Sequence, residues 1–269
     1  MTKILLLNDI HLGISRNSTT HGHLIRQANT QAQSTLEALI PHFNSLNFDL
    51  VVHLGDALRD TYDFETDAKN MISALNLINQ ITAPAIHLLG NHELNAFTKE
   101  QITTLYSSQE ISPEFLGSKK INDIDISWLD LNIDQKKITV PQKTLSFLKN
   151  ESPTILFSHF SLIPIDPKGS FYFENEPEGM YYANGQDILD QLSEKTTVCI
   201  NAHVHLLTHT VINNRHFISC PAFSENIAAQ EYPQNNPGVY SILEVTQTNF
   251  CLTSYSGDFC FAKLEGTLR

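Results

Sequence analysis

The stretch at residues 4–13, Ile-Leu-Leu-Leu-Asn-Asp-Ile-His-Leu-Gly, decides how the rest of the chain is interpreted. Its four consecutive apolar residues predict a short buried strand. The polar residues that follow include Asp9 and His11, two side chains suited to metal binding or acid–base chemistry. In an extended segment every second side chain points to the same face, so we expect Asp9 and His11 to face one site.

The same pattern, an apolar run that ends in polar residues, returns four more times along the chain. The later polar clusters are His-Leu-Gly-Asp at 53–56, Gly-Asn-His-Glu at 90–93, Ser-His-Phe at 158–160 and Asn-Ala-His-Val-His at 201–205. Ligands of α/β proteins bind in the crevice beyond the carboxyl ends of the strands. Loops at that edge bring distant parts of the chain together, so we expect the five clusters to meet.

Helical and strand-like periodicities alternate along the chain. They predict helices at 31–46, 67–81, 144–148 and 186–192, the first of them kinked or interrupted at Pro41. They predict strands at 4–7, 49–54, 85–89, 121–131, 154–157, 197–200, 208–212, 216–219, 239–245, 250–255 and 259–264. This order indicates an α/β fold in which two packed sheets are flanked by helices, as a single domain over residues 1–269.

Residues 160–184 are predicted to form a long irregular loop over the active site, because prolines, glycines and aromatic residues interrupt any periodic pattern there. Two interpretations of the aromatic rings at 171–182 stay open. The rings could stack on a nucleobase, or they could pack the loop against the body of the protein.

Composition excludes several classes of protein. Of 269 residues, 41% are apolar and only 17% are charged, which argues against an intrinsically disordered chain. No apolar run approaches the roughly 20 residues of a membrane-spanning helix, so no membrane partner is expected. Seventeen basic against 29 acidic residues give a net charge of −12, which disfavours nucleic acid as a partner. The N-terminal apolar run is too short for a signal peptide, which predicts a cytoplasmic protein.

The cysteines are not spaced as a zinc knuckle or a redox motif, since no two form Cys-x-x-Cys. The four are Cys199, Cys220, Cys251 and Cys260. Four free thiols in a reducing compartment is the favoured interpretation. A Cys251–Cys260 disulfide across a hairpin is the alternative.

The polar clusters together supply seven oxygen and nitrogen donors. They are Asp9, His11, Asp56, Asn91, His159, His203 and His205. Crowding carboxylates and imidazoles into one cleft is costly unless positive ions neutralise and order them, which a pair of divalent metals does. The mixed nitrogen and oxygen ligands suit Mn²⁺, Fe²⁺/Fe³⁺ or Zn²⁺.

Taken in order, the clusters resemble the signature of the calcineurin-like metallophosphoesterase family. That signature is Asp-x-His, Gly-Asp, Gly-Asn-His-Asp/Glu, His and Gly-His-x-His, and it is matched by Asp9 and His11, Gly55 and Asp56, residues 90–93, His159, and His203 and His205. Ala202 stands where the family usually has glycine, and we expect it to be tolerated because its methyl group is no competing ligand. The resemblance implies a four-layer α/β/β/α sandwich of two mixed sheets flanked by helices.

The resemblance also implies roles for individual residues. It implies two divalent metal ions, one held by Asp9, His11 and His205 and the other by Asn91, His159 and His203, with Asp56 bridging them. A metal-bridging hydroxide would attack the phosphate ester while His92, which is not a ligand, assists the leaving group. Asn91 and His92 would also contact the phosphoryl group. Glu93 is expected either to orient a ligand imidazole or to be a plain turn or cap residue.

Looser features resemble the small bacterial class III cyclic-nucleotide phosphodiesterases in particular. They include residues 184–192, 221–223 and 237–244. This resemblance implies a small phosphodiester substrate, such as a cyclic nucleotide. A phosphomonoesterase or protein phosphatase, and a non-catalytic scaffold of the same fold, are the alternatives. His21 and His23 line the cleft mouth in one interpretation, with His23 a substrate contact, and lie in a solvated loop in the other.

Overall fold

The computed structural model describes residues 1–13, 20–134, 137–168, 170, 172–224 and 237–268, with the side chains of 20–30 and 134 outside the description. The helices are α1 (Thr20–Ser45), α2 (Phe64–Ile78), α3 (Asn91–Ala96), α4 (Lys99–Ser107), α5 (Gln142–Asn150) and α6 (Gly185–Leu189). The strands are β1 (Thr2–Leu7), β2 (Leu50–His53), β3 (Ala85–His87), β4 (Gly117–Ile121), β5 (Ile124–Trp128), β6 (Asn132–Asp134), β7 (Lys137–Thr139), β8 (Ile155–Phe157), β9 (Val198–Asn201), β10 (Thr208–Ile212), β11 (Arg215–Ser219), β12 (Val239–Val245), β13 (Asn249–Ser256) and β14 (Phe259–Thr267).

Two six-stranded mixed sheets form the centre of the fold. The first has the strand order β14-β13-β12-β1-β2-β3 and the second the order β10-β11-β9-β8-β5-β4. Strands β1, β2 and β3 run parallel to one another, as do β5, β8 and β9. The carboxyl ends of the strands in each parallel set therefore meet at one edge of their sheet, and the predicted α/β class is confirmed.

Strand β1 shows why the two sheets and the helices pack as layers. Ile4 and Leu6 belong to the core between the sheets, together with residues of β5, β8 and β9. Leu5 and Leu7 point the other way, into a second core shared with α1 and α2. A third core covers the far face of the second sheet and includes residues of α4, α5 and α6. Burial on both faces explains the uninterrupted apolar run at the start of the chain.

Two details of local structure differ from the predictions. Helix α1 is not interrupted but continues through Pro41 to Ser45, with Pro41 on an exposed face where water can satisfy the carbonyl group that loses its partner. The single strand predicted at 121–131 is instead part of a hairpin, in which Ile121 pairs with Ile124. Asn122, with a φ of 51°, makes the tight turn between β4 and β5.

Sequence periodicity missed the two helices that follow β3. Helix α3 has only six residues, too few for an apolar repeat. Helix α4 buries only Ile102 and Tyr106. A capping box at its start was the available signal: Thr98 accepts from the backbone of Gln101, and the Gln101 side chain accepts from Thr98.

The hairpin of β13 and β14 places its two cysteines apart. Cys251 lies opposite Glu265 and Cys260 lies opposite Tyr255. All four cysteines are free thiols, so the disulfide alternative is wrong. Across the described part of the chain, no helix combines the length and the apolar character needed to cross a bilayer.

Candidate metal centre

The polar clusters emerge from the carboxyl ends of five strands. Asp9 and His11 follow β1, Asp56 follows β2, Asn91 and His92 begin α3 after β3, His159 follows β8, and His203 and His205 follow β9. The structure brings all of these side chains together. Asp9, His11 and His205 form one group of potential ligand atoms, and Asp56, His159 and His203 form another, with Asn91 beside His159. His11, Asp56 and His92 form a third group that joins the first two. The predicted contribution of His23 concerns a side chain outside the described ones.

The backbone at the site is left-handed rather than extended. Positive φ angles are found at Asp9 (50°), His11 (49°), Asp56 (57°), His203 (68°) and His205 (58°). Such a conformation costs a non-glycine residue about 1–2 kcal/mol, and it clusters at functional sites. The extended geometry predicted for Asp9 and His11 is therefore wrong, although their side chains do converge.

Backbone hydrogen bonds between neighbouring loops hold this strained conformation. The amide of Asp9 donates to the carbonyl of Gly55 over 3.0 Å, and the amide of His11 donates to the carbonyl of Asp56 over 3.0 Å. The loop after β1 is thus fastened to the loop after β2. Rigid backbone on both sides fixes the side chains before any ligand binds.

The first group consists of Asp9, His11 and His205. Asp9 Oδ1 lies 3.3 Å from Nε2 of His205 and 3.9 Å from Nε2 of His11. The two imidazole nitrogens are 3.2 Å apart. All three residues are buried, so their donor atoms face one another rather than solvent.

The second group consists of Asp56, His159, His203 and Asn91. Asp56 Oδ2 lies 3.3 Å from Nε2 of His159, and that nitrogen lies 3.3 Å from Oδ1 of Asn91. His203 joins Asp56 and His159 in a cluster of potential ligand atoms. Asp56 Oδ2 is also 3.9 Å from Nε2 of His11, which belongs to the first group. Asp56 therefore lies between the two groups.

The donor geometry fits metal ions. A metal with bonds of about 2.0–2.2 Å to nitrogen and oxygen holds neighbouring ligand atoms about 3.0–3.5 Å apart. The His11–His205 separation of 3.2 Å and the two carboxylate–imidazole separations of 3.3 Å fall in that range. Carboxylate oxygens and imidazole nitrogens are also the donor types that bind these divalent cations.

The carboxylates are ionised in this environment. Burial alone would raise the pKa of Asp9 and of Asp56, but the neighbouring imidazoles outweigh it. His205 holds the pKa of Asp9 well below its usual range, and His159 does the same for Asp56. Both residues are therefore in the form that binds a cation.

The imidazoles divide into two classes. Burial lowers the pKa of His11 well below its usual value and lowers the pKa of His203 to about 3, so both rings are neutral and offer a lone pair. His159 differs from these two. Burial by itself would lower its pKa, but the Asp56 carboxylate outweighs burial and raises the pKa of His159 to about 9. A cation that binds beside Asp56 must displace the proton of His159.

His92 lies beside the donor groups and has partners that the sequence analysis did not identify. Its Nδ1 contacts the Oδ1 of Asp60, and its Nε2 lies 3.4 Å from Nη1 of Arg59 and 3.9 Å from Oδ2 of Asp56. Its side chain is 14% exposed, so substrate can reach it. The charged pair Arg59-Asp60, four residues after the Gly-Asp motif, was the feature of the sequence that could have indicated these partners of His92.

Glu93 fastens two of the site loops to each other. Its buried carboxylate accepts from the amides of Asp56 (3.1 Å), Ala57 (2.6 Å) and Gly90 (2.8 Å). Burial, together with the charge of Asp56, raises the pKa of Glu93 to about 7. Of the two predicted roles, the turn and cap role agrees with these contacts, while no imidazole contact with Glu93 is found among the described residues. Gly90 has no room for a side chain, since a Cβ there would lie 2.1 Å from Oδ1 of Asp56.

The aromatic rings of the 160–184 loop pack against the candidate ligands. Phe160 and Phe173 contact the ring of His203, with centroid distances of 4.1 and 4.8 Å. Tyr172 meets the ring of His205 at 5.6 Å. These contacts agree with the interpretation in which the rings pack the loop against the body of the protein. Phe171 lies outside the description.

Sequence comparison then identifies the family. The family model described as calcineurin-like phosphoesterase matches residues 2–207, which include every side chain of the two donor groups. The chain belongs to the calcineurin-like phosphoesterase family. Among curated proteins, none matches the sequence of this phosphoesterase. The family uses a dinuclear metal centre, in agreement with the two groups of His and Asp residues.

Solved structures share the fold of this phosphoesterase at low sequence identity. A dimetal phosphatase from Danio rerio is 13% identical with a TM-score of 0.72, covering 100% of this chain and 99% of the other. Purple acid phosphatase PPD1 from yellow lupin (Lupinus luteus) is 14% identical with a TM-score of 0.63, covering 98% and 53%. Phosphopantetheinyl hydrolase from Mycobacterium tuberculosis is 13% identical with a TM-score of 0.56, covering 87% and 94%. These similarities confirm the fold.

Proposed function

We propose that this phosphoesterase hydrolyses a small phosphodiester, such as a cyclic nucleotide or another small nucleotide, with two divalent ions of Mn, Fe or Zn. One ion is assigned to Asp9, His11 and His205, and the other to Asn91, His159 and His203, with Asp56 shared. The position of Asp56 between the two groups is the observation that carries the proposal. When bound, such a pair of ions supplies Lewis-acid activation of the phosphoryl group and of water.

The protein's own groups account for substrate orientation and for proton transfer. Asn91 and His92 stand at the start of α3, where they face the shared Asp56: the His92 amide donates to Asp56 Oδ1 over 2.9 Å. The His92 side chain reaches past the donor groups towards solvent and assists the departing oxygen. Arg59, which contacts the same imidazole, adds positive charge where the phosphate binds.

Two arguments favour a diester over a monoester. The sequence resembles the class III phosphodiesterases around the metal motifs and in three further segments. In addition, the net charge of −12 opposes a doubly charged phosphomonoester more than a singly charged diester.

The test compares bis(p-nitrophenyl) phosphate with p-nitrophenyl phosphate on manganese-loaded protein, followed by a panel of cyclic and linear nucleotides. We expect the diester to be turned over faster. His92→Ala should lower turnover with its metal content unchanged, while His209→Ala, a histidine of the exposed strand β10, should behave as wild type. Faster monoester hydrolysis would overturn the substrate assignment. Two bound ions without any hydrolysis would favour a scaffold.

A further inference from the structure

His203 is held by a backbone group of the 160–184 loop. Its Nε2 lies 3.0 Å from the carbonyl oxygen of Gly179. A carbonyl oxygen only accepts, so Nε2 carries the proton and donates. The remaining ring nitrogen, Nδ1, then keeps its lone pair, and His203 supplies one of the clustered potential ligand atoms with Asp56 and His159. The loop thus selects which nitrogen of His203 can bind a metal.

The orientation of the same ring is fixed by two aromatic side chains. Phe160 comes from the end of β8 and is fully buried, with its ring centroid 4.1 Å from that of His203. Phe173 comes from the loop, with a centroid distance of 4.8 Å and an interplanar angle of 48°. Phe160 begins the loop directly after His159 and belongs to the buried core, so Phe173 is the contribution of the part of the loop farther along the chain.

A compact turn links Phe173 to Gly179. The amide of Glu176 donates to the carbonyl of Phe173 over 3.1 Å, and the amide of Gly179 donates to the carbonyl of Glu176 over 3.1 Å. The ring of Phe173 packs beside Gly179, since a Cβ there would meet the ring at 3.4 Å. The ring that packs on His203 and the carbonyl that accepts from it are therefore parts of one unit.

The turn is anchored to the body of the protein at its far end. Met180 is fully buried, and its carbonyl accepts from the amide of Ser161 over 3.4 Å. The amide of Tyr182 donates to the carbonyl of Ser161 over 3.0 Å. Ser161 lies two residues after His159. The same stretch of backbone therefore carries His159 and anchors the turn that contacts His203.

We propose that residues 172–180, the aromatic turn, are a positioning element for His203 and set the occupancy of the metal site formed by Asn91, His159 and His203. The inference rests on the metal centre of the proposed function. The turn also reaches the first donor group, where the rings of Tyr172 and His205 meet at a centroid distance of 5.6 Å. Replacement of Phe173 alone leaves Tyr172 in place, so it should weaken the site of His203 before the site of His205.

The decisive variant is Phe173→Ala, with Mn²⁺ binding measured by calorimetry and by metal analysis after equilibrium dialysis. Loss of a group that orients a metal ligand costs about 10–100-fold in metal affinity. We expect a loss of that size at one site and wild-type affinity at the other. In electron paramagnetic resonance, the spectrum of two coupled Mn²⁺ ions should give way to that of a single ion at limiting metal. Phe173→Tyr keeps the ring and should restore both sites.

The matched control is Phe259→Ala, because Phe259 is 57% exposed on β14 and remote from the site. Phe173→Leu, a milder truncation, should give an intermediate affinity and guards against misfolding of the alanine variant. The proposal would be overturned if Phe173→Ala bound Mn²⁺ with wild-type affinity at both sites, or if it lost the same factor in affinity at both. Wild-type protein that binds two ions but hydrolyses nothing would instead contradict the proposed function and leave the aromatic turn supported.

Discussion

The Nδ1 of His92 is in direct contact with the carboxylate of Asp60. A carboxylate can only accept here, so His92 donates from Nδ1 and presents Nε2 towards the shared Asp56 and Arg59. The contact with Asp60 thus fixes both the tautomer and the orientation of the His92 ring. The pair has the geometry of an oriented acid–base catalyst.

Asp60→Asn should lower kcat more than it changes KM, because an amide can donate as well as accept and no longer fixes the tautomer of His92. We expect His92→Ala to lower kcat by about 100–10,000-fold, the usual contribution of a general acid, and Asp60→Asn to lower it less. In a His92→Ala background, Asp60→Asn should have almost no further effect, since the two residues act as one unit. Additive losses in the double variant would contradict this coupling.

Asp56→Ala should deplete the protein of both metal ions. Asp56 is the carboxylate within 3.9 Å of His11 in one group and 3.3 Å from His159 in the other, so its removal weakens both. Metal analysis after dialysis measures the outcome, with the exposed Asp187→Ala as the control. Retention of two ions in Asp56→Ala would show that the carboxylate is not shared.

Glu93→Ala should destabilise the fold by at least about 2 kcal/mol, because three buried amides lose their acceptor. Denaturant unfolding of the metal-free protein measures this loss without interference from metal binding. The exposed Glu37→Ala serves as the control and should unfold like wild type. An unchanged midpoint for Glu93→Ala would mean that water replaces the carboxylate at no cost.

His87 should make the protein acid-sensitive. Burial lowers its pKa to about 4, below the usual value of 6.5, so between these values the unfolded chain binds a proton that the folded protein does not. Stability is therefore complete above about pH 6.5 and falls as the pH drops towards 4, by up to about 3 kcal/mol from this residue.

His87→Gln should flatten the pH dependence of the unfolding free energy over that interval. His87 is the last residue of the edge strand β3 and belongs to none of the groups of potential ligand atoms, so metal content at neutral pH should stay unchanged. Denaturant titrations between pH 4 and 7 measure the effect. A slope identical to that of wild type would show that His87 is not buried in neutral form.

Much of the fold was predictable because its strands are buried on both faces. A continuous apolar run such as the one in β1 can be recognised as a buried strand from the sequence alone, without knowledge of which strands pair with it. The strand predicted at 121–131 ran through the two-residue turn at Asn122, because that turn interrupts the alternation too briefly, and it left out residues 117–120 of β4. Helix α3 was missed because its start is occupied by Asn91 and His92, which are chosen for the site rather than for an amphipathic pattern.

The sequence by itself determined which donor atoms this protein carries and in which order, because each candidate ligand follows directly on an apolar strand. Only the tertiary structure decided the orientation of the candidate ligand side chains. The left-handed backbone at Asp9 and His11 depends on hydrogen bonds to a loop more than 40 residues away. The contacts of His203 with the aromatic turn likewise join parts of the chain that have no local relationship. Such contacts form when long loops close, so they cannot be predicted from the spacing of residues along the chain.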